Sequence, residues 1–474
     1  MAEPLALAID QGTHATRSML VDMGGQIRFS SFADTGLYRK GKLRVEQDPE
    51  EILAAVQSTS QAALSAANAL GDIVCAGLAV QRSSVIAWDR RSGRAITPVI
   101  SWQDRRAFQW LQRFSDRFDM IKKRTGLPLS PHYGGSKIRW MAVHHPGVRK
   151  ALDEGRLAWG PLAAFLLHHL LKESPYVVDH ANAQRTQLWH LATQRWDPML
   201  LELFEIPPDS LPETLPTCHN YGRLAAADIP LTAVTGDQTA AFFSLGRPKT
   251  DTAAINVGTG AFILAPTGGT PGSHPDLLSG VLNSTSNKTL YVMEGTVNGA
   301  GAAMSWAAKA WQVPNLVLRM PEFFRHPETP PIFLNTVGGL GSPWWRAEDV
   351  IPVFMGTGTL PARAVAVAES ILFLIQANLD TLASAGRSIN RLRITGGLSH
   401  LDDMCQRMAD LSGIHVYRPS DTEATARGAA WLAFERPRHW PKPGRGHIFK
   451  PRGNPRLRER YEQFCRILEE ACKP

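Results

Sequence analysis

Leu5-Ala6-Leu7-Ala8-Ile9-Asp10-Gln11-Gly12-Thr13, followed by Ser18-Met19-Leu20-Val21, is a pattern this chain uses twice. About halfway along, Ala253-Ala254-Ile255-Asn256-Val257-Gly258-Thr259-Gly260 leads into Ala261-Phe262-Ile263-Leu264. Each reads as a strand, a tight Gly-Thr turn and a second strand. Such a turn offers backbone N–H groups and a hydroxyl to an anion, and glycine lets the backbone come close. One phosphate-cradling hairpin in each half implies a nucleotide held in a cleft between two related lobes.

A chain of 474 residues is too long for one ordinary core, so two to three domains are expected. With 44% hydrophobic and 20% charged residues the composition is that of a globular protein. Charges break the apolar runs, and no bilayer span is expected. Met1-Ala2-Glu3-Pro4 carries no basic segment, so the apolar stretch after it reads as a core strand and a cytoplasmic location is expected. Five cysteines without a CxxC pair argue against a disulfide framework or zinc site, and Cys75 and Cys405 read as small buried hydrophobes. The net charge of +8 lies largely between Arg436 and Arg460. Neither zinc-finger spacing nor an RNP-like motif accompanies it, so a solvated basic tail and an anionic small substrate are expected rather than nucleic acid.

Asp48-Pro49-Glu50-Glu51 opens a helix with Asp48 as N-cap and Glu51 completing a capping box, and Gly71 ends it. A strand over 73–80 leads to Gln81-Arg82, then a hairpin over Val85–Trp88 and Ile96–Ile100 delivers Ser101-Trp102-Gln103-Asp104. A strand over 230–234 ends at Thr235-Gly236-Asp237-Gln238, where small residues start a helix. A boundary near residue 245 is expected, giving units 1–245 and 246–474. Beyond it, Pro361 starts a long apolar helix to Leu382, and a strand over 391–394 meets Thr395-Gly396-Gly397. Thr422 caps a last small-residue helix through Gly428. Strands alternating with helices in both halves give α/β lobes, and each hairpin start makes its sheet mixed.

Four positions are candidates to carry the chemistry. Asp10, at the mouth of a strand beside the Gly12-Thr13 turn, is placed to hold Mg²⁺ through water, since Mg²⁺ takes few protein ligands alongside phosphates. Asp237 is placed to accept a proton from an attacking hydroxyl, with Gln238 beside it to bond an alcohol. Arg82 and Trp102 follow strands and offer a hydrogen-bonding fork and an apolar wall to a polyhydroxylated chain. A turn aspartate, a helix-capping aspartate and a core tryptophan are the plain alternatives. A P-loop, an HRD/DFG set, a GxSxG elbow and HExxH are all missing. His168-His169, inside an apolar helical run, reads as structural, and Trp344-Trp345 as a packed loop.

Taken in order, these pieces resemble the FGGY family of carbohydrate kinases, most closely its glycerol-phosphorylating members. The resemblance runs from Ile9-Asp10-Gln11-Gly12-Thr13 with Arg17, through Val80-Gln81-Arg82, Trp102-Gln103-Asp104-Arg105-Arg106, Thr125-Gly126-Leu127, Gly236-Asp237-Gln238 and Gly258-Thr259-Gly260-Ala261-Phe262. It ends in Thr395-Gly396-Gly397, Glu423-Ala424, Gly428-Ala429-Ala430 and the tail to Tyr461. It implies a duplicated actin-like, ribonuclease H-like α/β fold with ATP and Mg²⁺ between the lobes. It also implies Asp237 as catalytic base and Asp10 on the metal side. Gly12, Thr13, His14, Ala15 and Arg17 would form the first phosphate loop. Gly258, Thr259, Gly301, Ser305, Gly396 and Gly397 would line the nucleotide pocket, and Arg82, Trp102, Gln238 and Phe262 the acceptor site.

The chain departs from that pattern where an acceptor would be gripped. Ser83 stands where glycerol-binding members have a Glu after the Arg, His132 falls where they have a Tyr, and His14-Ala15 replaces small hydroxyl residues. Losing a charged partner costs about 1.5–3 kcal/mol of affinity. Phosphorylation of a primary hydroxyl of a small polyol or sugar is expected, glycerol first. A four- or five-carbon polyol or ketose of the erythritol, ribulose or xylulose type comes next, and a non-catalytic actin-like ATPase or ligand sensor is the rival from another class. A homo-oligomer is compatible with the sequence and not specified by it.

Overall fold

The computed structural model describes residues 3–346, 351–420, 423–437, 440 and 446–472. The elements that position the site are numbered here in chain order. Strands β1 (Pro4–Gln11) and β2 (Ala15–Asp22) form the first hairpin in antiparallel register, Asp10 opposite Arg17. β3 (Ile27–Asp34) pairs antiparallel with β2, and helix α1 (Pro49–Leu70) crosses to β4 (Asp72–Val80), which lies parallel to β1. β5 (Leu231–Gly236) lies parallel to β4 and completes the sheet in the order β3-β2-β1-β4-β5.

The second half repeats the scheme. β6 (Thr252–Val257) and β7 (Ala261–Gly268) form the echoed hairpin, and β8 (Leu278–Ser284) and β9 (Thr289–Val297) extend it antiparallel. β10 (Arg391–Thr395) and β11 (Val416–Arg418) join in parallel, with β12 (His447–Phe449) at the edge. The order β9-β7-β6-β10-β11 therefore matches β3-β2-β1-β4-β5 in position and direction, with β8 and β12 added outside. Two sheets of one topology give a duplicated actin-like α/β fold.

Asp48 caps α1 by accepting the Glu50 N–H, worth about 1 kcal/mol. Glu51 does not close a capping box. Its carboxylate reaches across to the Gly36 N–H (2.7 Å) and the Tyr38 hydroxyl (3.0 Å), because the β3 exit loop lies within reach. Helix α6 (Leu360–Ser384) corrects a second expectation: it is long and apolar enough to cross a membrane. It instead packs on nearly all faces inside the second core, with Ile371, Leu372, Phe373 and Ile375 buried, which is what an all-round apolar helix requires. Nor is the basic tail wholly solvated. A helix over Pro455–Ala471 buries Tyr461, Phe464 and Leu468, and Arg460 pairs with the buried Glu369.

His168 and His169 are structural, bonded to the carbonyls of Ser174 (2.9 Å) and Gly93 (3.0 Å). Trp345 is packed as expected, its indole donating to the Asp276 carbonyl at 2.8 Å. Cys75, Cys218, Cys405 and Cys465 are free thiols, Cys75 and Cys405 buried. The expected cap Thr422 lies outside the described residues; helix α8 (Ala424–Ala433) follows it.

Candidate active site

In an α/β sheet, ligands meet the carboxyl ends of parallel strands. β1, β4 and β5 end side by side, with Asp10 beside Ala79, and Gly236 beside Val80. That edge delivers Asp10, Arg82 and Asp237 to one place, although they lie far apart in sequence. Asp237 is the first residue of helix α4 (Asp237–Phe242), behind Gly236, and its carboxylate accepts the Gln238 N–H at 2.7 Å.

The electrostatics are those of crowded carboxylates. Burial first, then the Asp237 charge, pushes Asp10 up to about 7, while Arg17 pulls the other way. Burial also raises Asp237, opposed by Arg82. No cluster of three or more His, Cys, Asp or Glu stands ready to cage a metal among the described residues. Two neighbouring carboxylates, each only partly offset by arginine charge, suit a hard divalent cation that keeps its waters.

Arg82 is buried and extends to the other lobe. Its guanidinium donates to both oxygens of Glu294 on β9, at 3.2 and 3.1 Å, and to the Gln238 side-chain carbonyl. Arg185, at the end of a short helix over His180–Gln184, donates to the same carboxylate. Burial alone would raise Glu294; Arg185 and Arg82 outweigh it and hold it down at about 2. Glu294 and Arg185 escaped the sequence reading. For Glu294 the one local hint was a lone charge directly after the apolar run Leu290–Met293.

The acceptor wall assembles beside them. Trp102 donates its indole N–H to the Thr13 hydroxyl at 3.0 Å, and its ring lies 5.4 Å from that of His132. Burial and the cations Lys137, Arg185 and Arg82 keep His132 well below its ordinary value, so it is neutral. Tyr133, next along, is buried. Lys137, also missed in sequence, is fully buried; its ammonium donates to the carbonyls of Ser83 (3.2 Å) and His132 (2.7 Å), and burial lowers it to about 7. Ser83 has φ 66°, and its buried hydroxyl finds no partner. Gln103 is turned aside, accepting from Arg39.

Both Gly-Thr turns have the expected form. Gly12 N–H donates to the Ala15 carbonyl at 3.0 Å, with His14 exposed at the tip and Arg17 3.8 Å from Glu423. In the second turn Gly258 and exposed Thr259 receive the N–H groups of Gly301 and Ala302, both at 2.9 Å, where helix α5 (Gly301–Ala310) begins; Ser305 is exposed on it. Gly396, at φ 93°, closes against the end of β6, with Gly397 exposed beyond it. Phe262 is half-buried on β7, opposite Thr296.

A duplicated actin-like fold with two Gly-Thr turns and paired carboxylates at the strand ends defines a class of two-lobed phosphoryl-handling proteins. Within it, this chain belongs to the FGGY family of carbohydrate kinases: the family's N-terminal domain matches residues 5–244 and its C-terminal domain residues 253–435. It is 34% identical over 457 residues to a glycerol kinase of Trichlorobacter lovleyi, covering 90% of this chain and 89% of that one. A glycerol kinase of Acinetobacter baylyi is 32% identical with the same coverage. Among solved structures, Plasmodium falciparum glycerol kinase with ADP superposes at a TM-score of 0.89 and 24% identity, covering 100% of this chain and 99% of that one. A ligand-bound xylulose kinase of Lactobacillus acidophilus gives 0.83 at 21%, covering 98% and 97%.

Proposed function

We propose that this chain transfers the γ-phosphoryl group of ATP to a primary hydroxyl of a small polyol, glycerol first, between units divided near residue 245. The observation that carries this is Asp237, raised by burial and set at the head of α4 beside Arg82 and Gln238. A raised carboxylate is a stronger base, suited to take the hydroxyl proton as the new O–P bond forms and the bond from Pγ to the β-phosphate oxygen breaks. Arg82 and Gln238 orient the acceptor, and Trp102 with His132 shields it from water.

Asp10 would hold Mg²⁺, whose charge offsets that of the phosphates. Thr13 and Arg17 on one side, and Gly258, Thr259 and Gly396 on the other, would cradle the nucleotide. The neutral wall of Ser83 and His132 favours a second reading, a four- or five-carbon polyol or ketose, because a serine leaves both room and an unused hydroxyl.

A coupled ADP-release screen over glycerol, dihydroxyacetone, erythritol and the common pentuloses and pentitols tests both. ADP formation that depends on glycerol supports the first reading and dependence on a larger acceptor the second. ADP formation that no acceptor stimulates would sink both.

A further inference from the structure

Arg393 is a buried cation without a carboxylate partner. It stands on β10 beside Ala254 of β6, and its side chain leaves the sheet of the second lobe for the helix that carries Asp237. Burial lowers it to about 10, so it stays charged at neutral pH, and among the described residues no carboxylate offsets that burial. Three oxygens at the end of α4 do so instead. The guanidinium donates to the carbonyls of Ala241 (3.0 Å) and Phe242 (3.1 Å) and to the Ser244 hydroxyl (3.3 Å), and its carbon lies 5.3 Å from the centre of the Phe242 ring. The last carbonyls of a helix lack partners within it and gather the negative end of its dipole, so they suit a buried cation.

The two ends of this contact lead to the two halves of the reaction. Toward the nucleotide, Arg393 is two residues from Thr395 and three from Gly396, which closes against Val257 where β6 enters the second Gly-Thr turn. Toward the acceptor, Ala241 and Phe242 are the last residues of a helix whose first is Asp237, about 8 Å away along the axis. The same helix meets the second lobe along its length. Thr425 of α8 donates to the Asp237 carbonyl at 3.5 Å, and a Cβ on Gly428 would lie 1.7 Å from the Ala240 carbonyl oxygen. α4 follows β5 of the first sheet, yet the carbonyls of Asp237, Ala241 and Phe242 all accept from the second lobe.

We propose that Arg393 is a positioning residue for phosphoryl transfer: it ties the helix that carries the base to the strand that leads into the nucleotide turn, so that bound nucleotide fixes the place of Asp237. The proposal rests on the kinase reading and adds to it a residue that touches neither substrate. A displacement of about 1 Å in a reacting group can cost about 100-fold in rate, so losing the tie costs turnover rather than acceptor affinity.

The test compares full-length wild type with Arg393→Met, which fills much of the space but donates nothing, and Arg393→Lys, which restores charge and donors. Arg393→Gln, shorter and neutral, stands in for Arg393→Met if that chain does not fold. The first readout is amide hydrogen exchange over residues 237–245 with and without ADP and Mg²⁺, which needs no turnover. Bound ADP should slow exchange there at least about tenfold in wild type and Arg393→Lys, and hardly at all in Arg393→Met, although ADP still binds. The second readout is kinetic. In Arg393→Met kcat should fall about tenfold or more with acceptor KM within about twofold, and Arg393→Lys should recover most of that loss. A wild type whose exchange over 237–245 ignores bound ADP overturns the proposal, as does Arg393→Met with the wild-type response or the wild-type kcat. Failure of Arg393→Lys to restore either readout overturns it too. ADP that binds while no acceptor is phosphorylated sinks the kinase reading alone, since the exchange readout still judges the tie; absence of ADP binding overturns both.

Discussion

Glu294 of the second lobe grips Arg82 of the first through two hydrogen bonds, at 3.1 and 3.2 Å, and shares its carboxylate with Arg185. All three side chains are buried, so two positive charges in a dry site depend on one negative one. Breaking a buried pair from one side costs about 3–5 kcal/mol, because the remaining charge stays desolvated. Glu294→Gln keeps the volume and removes the charge. Urea unfolding should register a loss of that size, and acceptor KM should rise as Arg82 loses its anchor. Unchanged stability would mean that water reaches the arginines.

Asp237→Asn tests the base. Asparagine keeps the size and can still accept the Gln238 N–H, so α4 should start as before. A positioned base contributes 10²–10⁴ in rate, so kcat should fall about 100-fold or more while nucleotide binding persists. Undiminished turnover would remove Asp237 from that role.

Asp10 links the site to pH. Folding raises its pKa from 3.8 to about 7, so between these values the folded chain holds a proton that the unfolded chain has released. The resulting stability is full below pH 3.8 and is lost as pH rises through about 7. Metal-free protein should therefore lose stability from mildly acid to mildly alkaline pH, and Asp10→Asn should flatten that slope. At alkaline pH the variant should be the more stable by about 2–4 kcal/mol. Parallel pH profiles of the melting temperature in both proteins would show that Asp10 ionises without penalty.

How much of this was legible in the sequence follows from the range of each interaction. The two Gly-Thr hairpins, the Asp48 cap and the small-residue helix behind Asp237 are local, set by turn chemistry and capping within a few residues. Glu294 was not legible, since its partners stand 212 and 109 residues away and no local pattern reports them. Lys137 carries no local signal, and only the fold shows it sealed beneath the Ser83 and His132 carbonyls. Glu51 failed for the same reason: a distant N–H at Gly36 outcompeted the local capping box.

Ser83 carries a buried hydroxyl with no protein partner, one chain position from Arg82. An acceptor hydroxyl there would gain a hydrogen bond worth about 0.5–1.5 kcal/mol. Ser83→Ala deletes it without leaving any protein group unpaired, and alanine is no more strained than serine at φ 66°. Acceptor KM should rise by roughly 2–12-fold with no loss in melting temperature. An unchanged KM would place the acceptor out of reach of this side chain.

Gly396 and Gly397 are adjacent, yet the structure separates their roles. Gly396 has φ 93°, and a Cβ there would come within 2.6 Å of the Val257 carbonyl oxygen, at the end of the strand that enters the second Gly-Thr turn. Gly397 would carry a Cβ with nothing within 4 Å. Strained backbone of the first kind costs about 1–3 kcal/mol, and relief by movement would push Val257 and the turn behind it out of place. Gly396→Ala should therefore raise nucleotide KM about tenfold, roughly the equivalent of 1.4 kcal/mol. Gly397→Ala should leave stability unchanged and affect KM only through contact with bound nucleotide. Equal effects of the two substitutions on melting temperature would mean that β10 does not close against β6 in solution.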